Sequence, residues 1–401
     1  MTTSQIPPKY LTLITAGLAY LSNVFTVNLP YVLKDSPLIE FGFSKVELIK
    51  ANANILFFQH LGILIGAVVF GMMADKKGRL FLLFTSVFVY SIGTLAGGLS
   101  HNYYIFVGFR FIVGLGLAAE LGIGLVLISE IFPQEKRSIA VLFIALMGFL
   151  GMFLVAALAR HFYWRNLYLV GGIISFLIML FRFGTFESDI FLAIKNEDKN
   201  KVSIFHLLKN KKFKYLILSI LPTYLITAGS IFIGTFIIKK YNLVFDGSTM
   251  IVYFSIGSFL GFIGLSFLSK YLKSRKKTVT ICIISMMICS TIFALNSFKL
   301  PYIIPILNVA IGLFASYIFE LLTITMEQFG TNYRALATTL VFGIGRSSVV
   351  IFSILIPIFD KAVFNNYLYT LLTLDVIIFG IALWAINQIT ENYNRDLQFT
   401  E

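Results

Sequence analysis

Charge is scarce in this chain. Only 13% of its 401 residues are Asp, Glu, Lys or Arg, against 58% hydrophobic. A soluble domain ordinarily carries about 25% charge, so the composition excludes a fold bathed in water on every side. Acid is scarcer than base: 19 Asp and Glu face 32 Lys and Arg, a formal net charge of +13. There are two cysteines, Cys282 and Cys289, in one apolar run. Seven residues of helix separate them by about 10 Å, beyond disulfide reach, and they read as packing residues. The four histidines, His60, His101, His161 and His206, are scattered without metal-ligand spacing. No Gly-x-x-x-x-Gly-Lys-Ser/Thr phosphate loop is present, which argues against direct ATP-driven pumping. No Asn-x-Ser/Thr glycosylation sequence occurs either. These absences leave no metal, no cofactor and no enzyme chemistry to expect.

What the chain has in quantity is long apolar runs. Twelve of them, at about 10–33, 52–74, 80–99, 103–131, 139–159, 164–185, 215–238, 249–269, 278–298, 301–326, 336–358 and 366–388, reach roughly the 20 residues that cross a bilayer core. In lipid each run must satisfy its own backbone, so each is expected to be a helix. The first run has no small-residue cleavage site and reads as a retained anchor, not a signal peptide. The longest polar stretch lies between runs six and seven. It divides the chain into an N-terminal six-helix bundle (1–186), a cytoplasmic central loop (187–214) and a C-terminal six-helix bundle (215–401).

Basic residues gather in the loops after even-numbered runs: Lys76, Lys77 and Arg79; Lys136 and Arg137; Lys209, Lys211, Lys212 and Lys214; Lys270, Lys273, Arg275, Lys276 and Lys277. By the positive-inside rule both termini are then cytoplasmic. Arg160 and Arg165, after run five, depart from the trend. The basic excess is thus a matter of topology, with no nucleic-acid partner to expect. The composition and short loops suit a multi-pass protein of a bacterial inner membrane.

The halves are related. "EIFPQEKR" (Glu130 to Arg137) and "EQFGTNYR" (Glu327 to Arg334) both follow the fourth run of their half, at an offset of 197 residues (327 − 130 and 334 − 137). Internal repeats of this kind are typical of secondary transporters. Several motifs then carry a family resemblance. "GMMADKKGR" (Gly71 to Arg79) resembles the signature between the second and third spans of the major facilitator superfamily. "RFIVGLGLAAELGIGLVLISEIFPQEKR" (Arg110 to Arg137) is similar to the fourth span of its sugar and metabolite porters. "FESDIFL" (Phe186 to Leu192) resembles their motif after span six, and "FGIGRSSVV" (Phe342 to Val350) the eleventh span of aromatic-acid and metabolite:proton symporters. The resemblance covers nearly the whole chain. It implies an all-α membrane protein of twelve transmembrane helices in two pseudo-symmetric bundles. The chain departs from the pattern in its first span, where aspartate is usual and "YLSNVFTVNLP" offers only Asn23 and Asn28.

The resemblance implies a gating network of Gly71, Asp75, Gly78, Arg79, Glu130 and Arg137, with Glu327 and Arg334 as the repeat's counterparts. Gly78 suits a tight turn and Gly71 a close helix approach. Asp75 can accept charge-assisted hydrogen bonds from an arginine or a helix N-terminus. The same charges could instead only fix topology. Charges inside spans are costly, about 2.5–3.5 kcal/mol each on insertion scales, and so are functional candidates. Arg346 and Arg110 suit a carboxylate, because a guanidinium stays charged and binds bidentately; a structural ion pair is the plainer alternative. Glu120 and Glu320, and His60 after them, are the candidate proton carriers. Ten residues of helix separate Arg110 from Glu120 by roughly 15 Å, so they are not expected to pair with each other. Asn23, Asn28, Tyr224, Asn308 and Tyr317 are candidate cavity residues by span membership alone. Asp375, in the twelfth span, reads as structural.

The function to expect is proton-coupled uptake, by alternating access, of a small anionic or zwitterionic metabolite bearing a carboxylate, by a monomeric carrier in the lipid bilayer. The alternative is a proton-driven exporter of drugs or of a metabolite such as a carboxylate siderophore. The fifth span, with two glycines and no proline, weighs against it. A receptor of the same fold is a third reading, disfavoured by the short C-terminal tail.

Overall fold

The computed structural model describes residues 8–33, 35–44, 47–182, 185, 187–188, 192, 204–241, 247–296, 303–364, 366–393 and 397. Half of the expected central loop, 189–191 and 193–203, lies outside them. The first helices in chain order are α1 (Pro8–Leu33), α2 (Asp35–Glu40), α3 (Leu48–Lys77), α4 (Arg79–Leu99), α5 (Tyr103–Leu117), α6 (Ala119–Ile131), α7 (Gln134–Leu158) and α8 (Trp164–Phe181). After them come α9 (Ile204–Lys209), α10 (Lys211–Tyr241), α11 (Gly247–Leu272), α12 (Arg275–Asn296), α13 (Ile303–Ala315), α14 (Tyr317–Gln328), α15 (Arg334–Phe359), a π-helical turn (Asp360–Phe364) and α16 (Tyr367–Gln388). Among the described residues there is no strand, and ten helices are long and apolar enough to cross a membrane. The seventh and ninth apolar runs are covered by α10 and α12, some of whose side chains lie outside the described set. The short helices α2 and α9 were not expected from the hydropathy pattern.

The chain forms two compact units. One comprises Met1–Leu207, Phe329–Gly343 and Asp396–Glu401; the other comprises Leu208–Gln328 and Ile344–Arg395. Helix α15 therefore contributes its first turns to the first unit and the remainder to the second.

Two spans are locally distorted at one residue while each still runs through as a single span, Tyr103–Ile131 and Ile303–Gln328, and Ala118 keeps helical angles at φ −64° and ψ −32°. The distortion falls at Ala118 in the fourth and at Ser316 in the tenth. Carbonyls at a distortion have nothing in lipid to bond to, and neighbouring side chains bond to them. Asn23 Nδ2 donates to Leu117 O at 2.9 Å and Ser86 Oγ to Gly116 O at 2.7 Å. In the second unit the hydroxyls of Ser258 and Ser316 each lie 3.1 Å from Gly312 O.

Glycine sets how closely the flanking helices pack. A Cβ at Gly114 on α5 would lie 2.1 Å from Gln59 O on α3, and one at Gly62 would lie 2.2 Å from Phe111 O. In the second unit the same contact recurs between α11 and α13: a Cβ at Gly257 would lie 1.8 Å from Val309 O, and one at Gly312 would lie 2.2 Å from Phe254 O. The repeat read in the sequence thus extends to packing. The turn between α3 and α4 is made by Gly78 at φ +112°, a region that side chains oppose. The aromatic core of the first unit is Phe106, Trp164 and Tyr168, all within 1% exposure. Their ring centroids lie 5.4–5.8 Å apart.

Candidate functional site

A buried charge cluster occupies the first unit where α3 meets α4. Arg79, fully buried, donates from Nη2 to Thr331 O at 2.8 Å and to Glu130 Oε1 at 3.4 Å. The same nitrogen lies 3.4 Å from Asp75. Arg334 donates to Glu130 Oε1 at 2.8 Å, to Thr331 Oγ1 at 3.1 Å and to Leu397 O at 2.7 Å. Asp75 accepts the backbone N–H groups of Ala335 and Leu336 at 3.2 and 2.8 Å, which are free donors because they open α15. Gly71 lets Leu336 approach: a Cβ there would lie 3.1 Å from Leu336 Cα. The structure therefore brings Gly71, Asp75, Gly78, Arg79, Glu130 and Arg334 together. Arg137 donates from Nε to Ser129 O at 3.0 Å.

Glu327 belongs to a second cluster, in the second unit. Arg275 donates to Glu327 at 3.2 Å and to Glu320 at 2.8 Å, and its guanidinium lies 5.2 Å from the Tyr393 ring. Ser269 Oγ donates to Glu320 at 3.1 Å. The two clusters are related by the repeat. Arg79 holds Glu130 as Arg275 holds Glu327, at offsets of 196 and 197 residues (275 − 79 and 327 − 130). Beside each arginine a glutamate accepts a backbone N–H: Glu187 from Leu80 at 3.0 Å, and Glu391 from Lys276 at 3.2 Å.

Glu120 is held by Arg182 at the C-terminal end of α8, through Nη1 at 3.0 Å and Nη2 at 2.8 Å, with Ser86 Oγ at 3.3 Å. A bidentate pair this buried repays the desolvation of both charges only when its geometry is good.

The remaining expected residues have separate placements. Arg110, fully buried, donates to Gln59 Oε1 at 3.4 Å and stacks on Tyr168, 4.7 Å from the ring centroid. Arg346 is half-buried on α15, next to Gly345. A Cβ on Gly345 would come within 2.8 Å of the Tyr224 ring, so Tyr224 packs against the helix turn that carries Arg346. Asn28 bonds its own helix at Val24 O, 2.7 Å. Asn308 Nδ2 lies 3.2 Å from both Ile304 O and Met250 Sδ. The fully buried Tyr317 donates to Ser219 O at 2.7 Å. His60 is buried, with Nδ1 2.9 Å from Leu56 O and Nε2 3.2 Å from the Tyr31 hydroxyl.

The repeated helices, their paired acids and their close glycine contacts meet a direct family match. The sequence profile of the Major Facilitator Superfamily covers residues 11–354. The chain belongs to the major facilitator superfamily. Membership places it with multi-pass membrane transporters rather than with enzymes. The chain is 28% identical over 214 residues to the sialic acid transporter NanX of Escherichia coli (strain K12), covering 50% of this chain and 49% of that one. It is 37% identical over 150 residues to the 4-hydroxybenzoate transporter PcaK of Acinetobacter baylyi, covering 35% and 32%. It thus spans at most about half the length of these relatives. Its fold superposes on the proton:xylose symporter XylE bound to 6-bromo-6-deoxy-D-glucose with a TM-score of 0.81, over 98% of each chain at 14% identity. That likeness is one of fold.

Sequence reasoning missed several facilitator residues. Arg182 stands inside the sixth apolar run, where a charge is itself a signal. Arg275 was read only as a topology charge, although it aligns with Arg79 through the repeat. Ser86, Thr331, Leu397 and Glu391 gave no signal, because each acts through a hydroxyl, a main-chain carbonyl or a loop carboxylate.

Proposed function

We propose that this facilitator is a secondary carrier of a bacterial inner membrane, with both termini cytoplasmic. It works by alternating access and takes up a small carboxylate-bearing metabolite together with protons. The observation that carries the reading is Arg346. A guanidinium stands twelve residues past Arg334 in a 26-residue apolar helix, half-buried, beside Tyr224 and the buried Ser347 and Ser348. A charge at bilayer depth is a functional candidate, and the planar guanidinium fork can take both oxygens of a carboxylate. Names among the relatives support the class, since sialic acid and 4-hydroxybenzoate both carry a carboxylate.

Glu120 is the leading proton carrier of this reading and Glu320 the second. Both sit against an arginine, which ties protonation to a conformational step. The Asp75–Arg79–Glu130–Arg334 cluster is the latch that this step opens. The test is uptake into vesicles of organic acids by wild type and Arg346→Lys. The variant keeps the charge and loses the fork, so its carboxylate uptake is expected to fall at least tenfold. Unchanged uptake and unchanged acid preference would reject Arg346 as the anchor.

A further inference from the structure

Arg110 is 0% exposed, in the interior of the first unit. Among the described residues no carboxylate lies within ion-pair distance of it. Helix α1 carries no acid at all, and its two asparagines bond to Leu117 O and Val24 O. One guanidinium nitrogen, Nη1, is used, at 3.4 Å from Gln59 Oε1. The face of the group rests on the rings of Tyr168 and Phe106, with centroids at 4.7 and 5.8 Å. The other two nitrogens, Nε and Nη2, have no hydrogen-bond partner, and neither has the buried Tyr168 hydroxyl.

The identity of those two nitrogens matters. The Nε and Nη2 hydrogens share one edge of the guanidinium and point in parallel, the geometry that takes both oxygens of a single carboxylate. Gln59 does not serve that edge: its one acceptor, Oε1, meets Nη1, and its Nε2 is a donor, bonded to Val27 O at 3.2 Å. Gly97 on α4 lies beside Nη2, and the edge is packed too closely to admit a ligand in this state, so a carboxylate reaches it only when the surrounding helices part. A Cβ there would meet nothing closer than Phe109 Cβ at 3.8 Å and Arg110 Nη2 at 3.9 Å. A buried cation with one complete edge unsatisfied is unstable by itself and is matched by a planar oxyanion. A neutral ligand would leave its charge uncompensated.

We propose that the Nε–Nη2 edge of Arg110 is a carboxylate subsite within the first unit, holding the cargo's carboxylate side-on. Phe106 and Tyr168 fix the plane of the guanidinium, and Gln59 sets its rotation as a positioning residue. The proposal rests on the reading of the cargo as a carboxylate and adds where that carboxylate sits.

The test is thermal stabilisation of the purified protein by acetate, lactate, benzoate, nicotinate and N-acetylneuraminate, each set against its methyl ester. At least one acid is expected to raise Tm while its ester does not. Arg110→Lys keeps the charge but loses the edge, and is expected to raise Kd for that acid at least tenfold. Gln59→Glu brings a carboxylate of the protein's own to the guanidinium. It is expected to lose acid binding to the same degree without a lower Tm, so it decides the matter if Arg110→Lys does not fold. Unchanged Kd in either folded variant overturns the subsite and leaves the carboxylate reading standing. Esters that stabilise as well as acids, or no stabilisation by any acid, overturn the carboxylate reading and the subsite with it.

Discussion

Arg182→Met removes the cation that holds Glu120, and its cost can be worked from the pair's geometry. The two side chains are 2% and 1% exposed and meet at 2.8 Å. At an effective dielectric near 20, unit charges at that distance attract by about 6 kcal/mol. Part of this is returned, because methionine needs no desolvation, and breaking a buried pair typically costs about 3–5 kcal/mol. Glu120 would be left with Ser86 as its one remaining partner here, at 3.3 Å. The expected loss is therefore about 3–5 kcal/mol. Removing both charges, in Glu120→Gln with Arg182→Met, leaves no buried ion and is expected to recover at least half of it. The assay is reversible denaturant unfolding in mixed micelles. The chain has two tryptophans, Trp164 and Trp384, so Trp384→Phe leaves fluorescence that reports on the first unit alone. A cost below about 1 kcal/mol for Arg182→Met, or a double variant no more stable than the single one, would refute the idea that desolvation rules this pair.

Other expectations are simpler to check. Gly257→Ala puts a methyl 1.8 Å from Val309 O and should lower the yield of folded protein sharply, whereas Gly108→Ala, with nothing within 4 Å, should leave yield and Tm intact. Size-exclusion profiles in detergent distinguish them. Asn23→Leu strips the cap from Leu117 O at the helix distortion and should cost about 1–3 kcal/mol in the same unfolding assay. Glu40 lies outside the spans. Burial alone would raise its carboxyl, but hydrogen bonds from Tyr163, Arg165 and Trp164 outweigh this and hold it below the usual carboxylate range. Its contribution to stability is therefore present above the unfolded glutamate pKa of about 4.3 and lost as pH falls through the lower folded value. Glu40→Gln should flatten that acid limb of a Tm-against-pH profile.

Much of this was legible in the sequence, for particular reasons. Each apolar run is long enough to demand a helix; helices overlap each run, and among the described residues ten are long and apolar enough to cross a membrane. The Glu130 and Glu327 repeat was visible because both acids and both arginines survive at one offset. The distortions at Ala118 and Ser316 were not visible, since alanine and serine continue a regular helix as readily as they distort one. They coincide with Asn23, Ser86 and Ser258, which reach the carbonyls there from other helices. Pairing partners were hidden for the same reason. Glu120 and Arg182 are 62 residues apart, and only the packing of both α6 and α8 against α4 brings them together.

Proton-coupled transport of a carboxylate is tested most directly by its own current. Purified protein in proteoliposomes on a solid-supported membrane can be given the same panel of organic acids and their methyl esters, with and without an inward proton gradient. The account predicts a transport current for at least one acid and none for its ester. That current should grow with the proton gradient and should fall at least tenfold in Arg110→Lys and in Arg346→Lys. Currents that follow the esters equally, or that ignore the proton gradient, would contradict it.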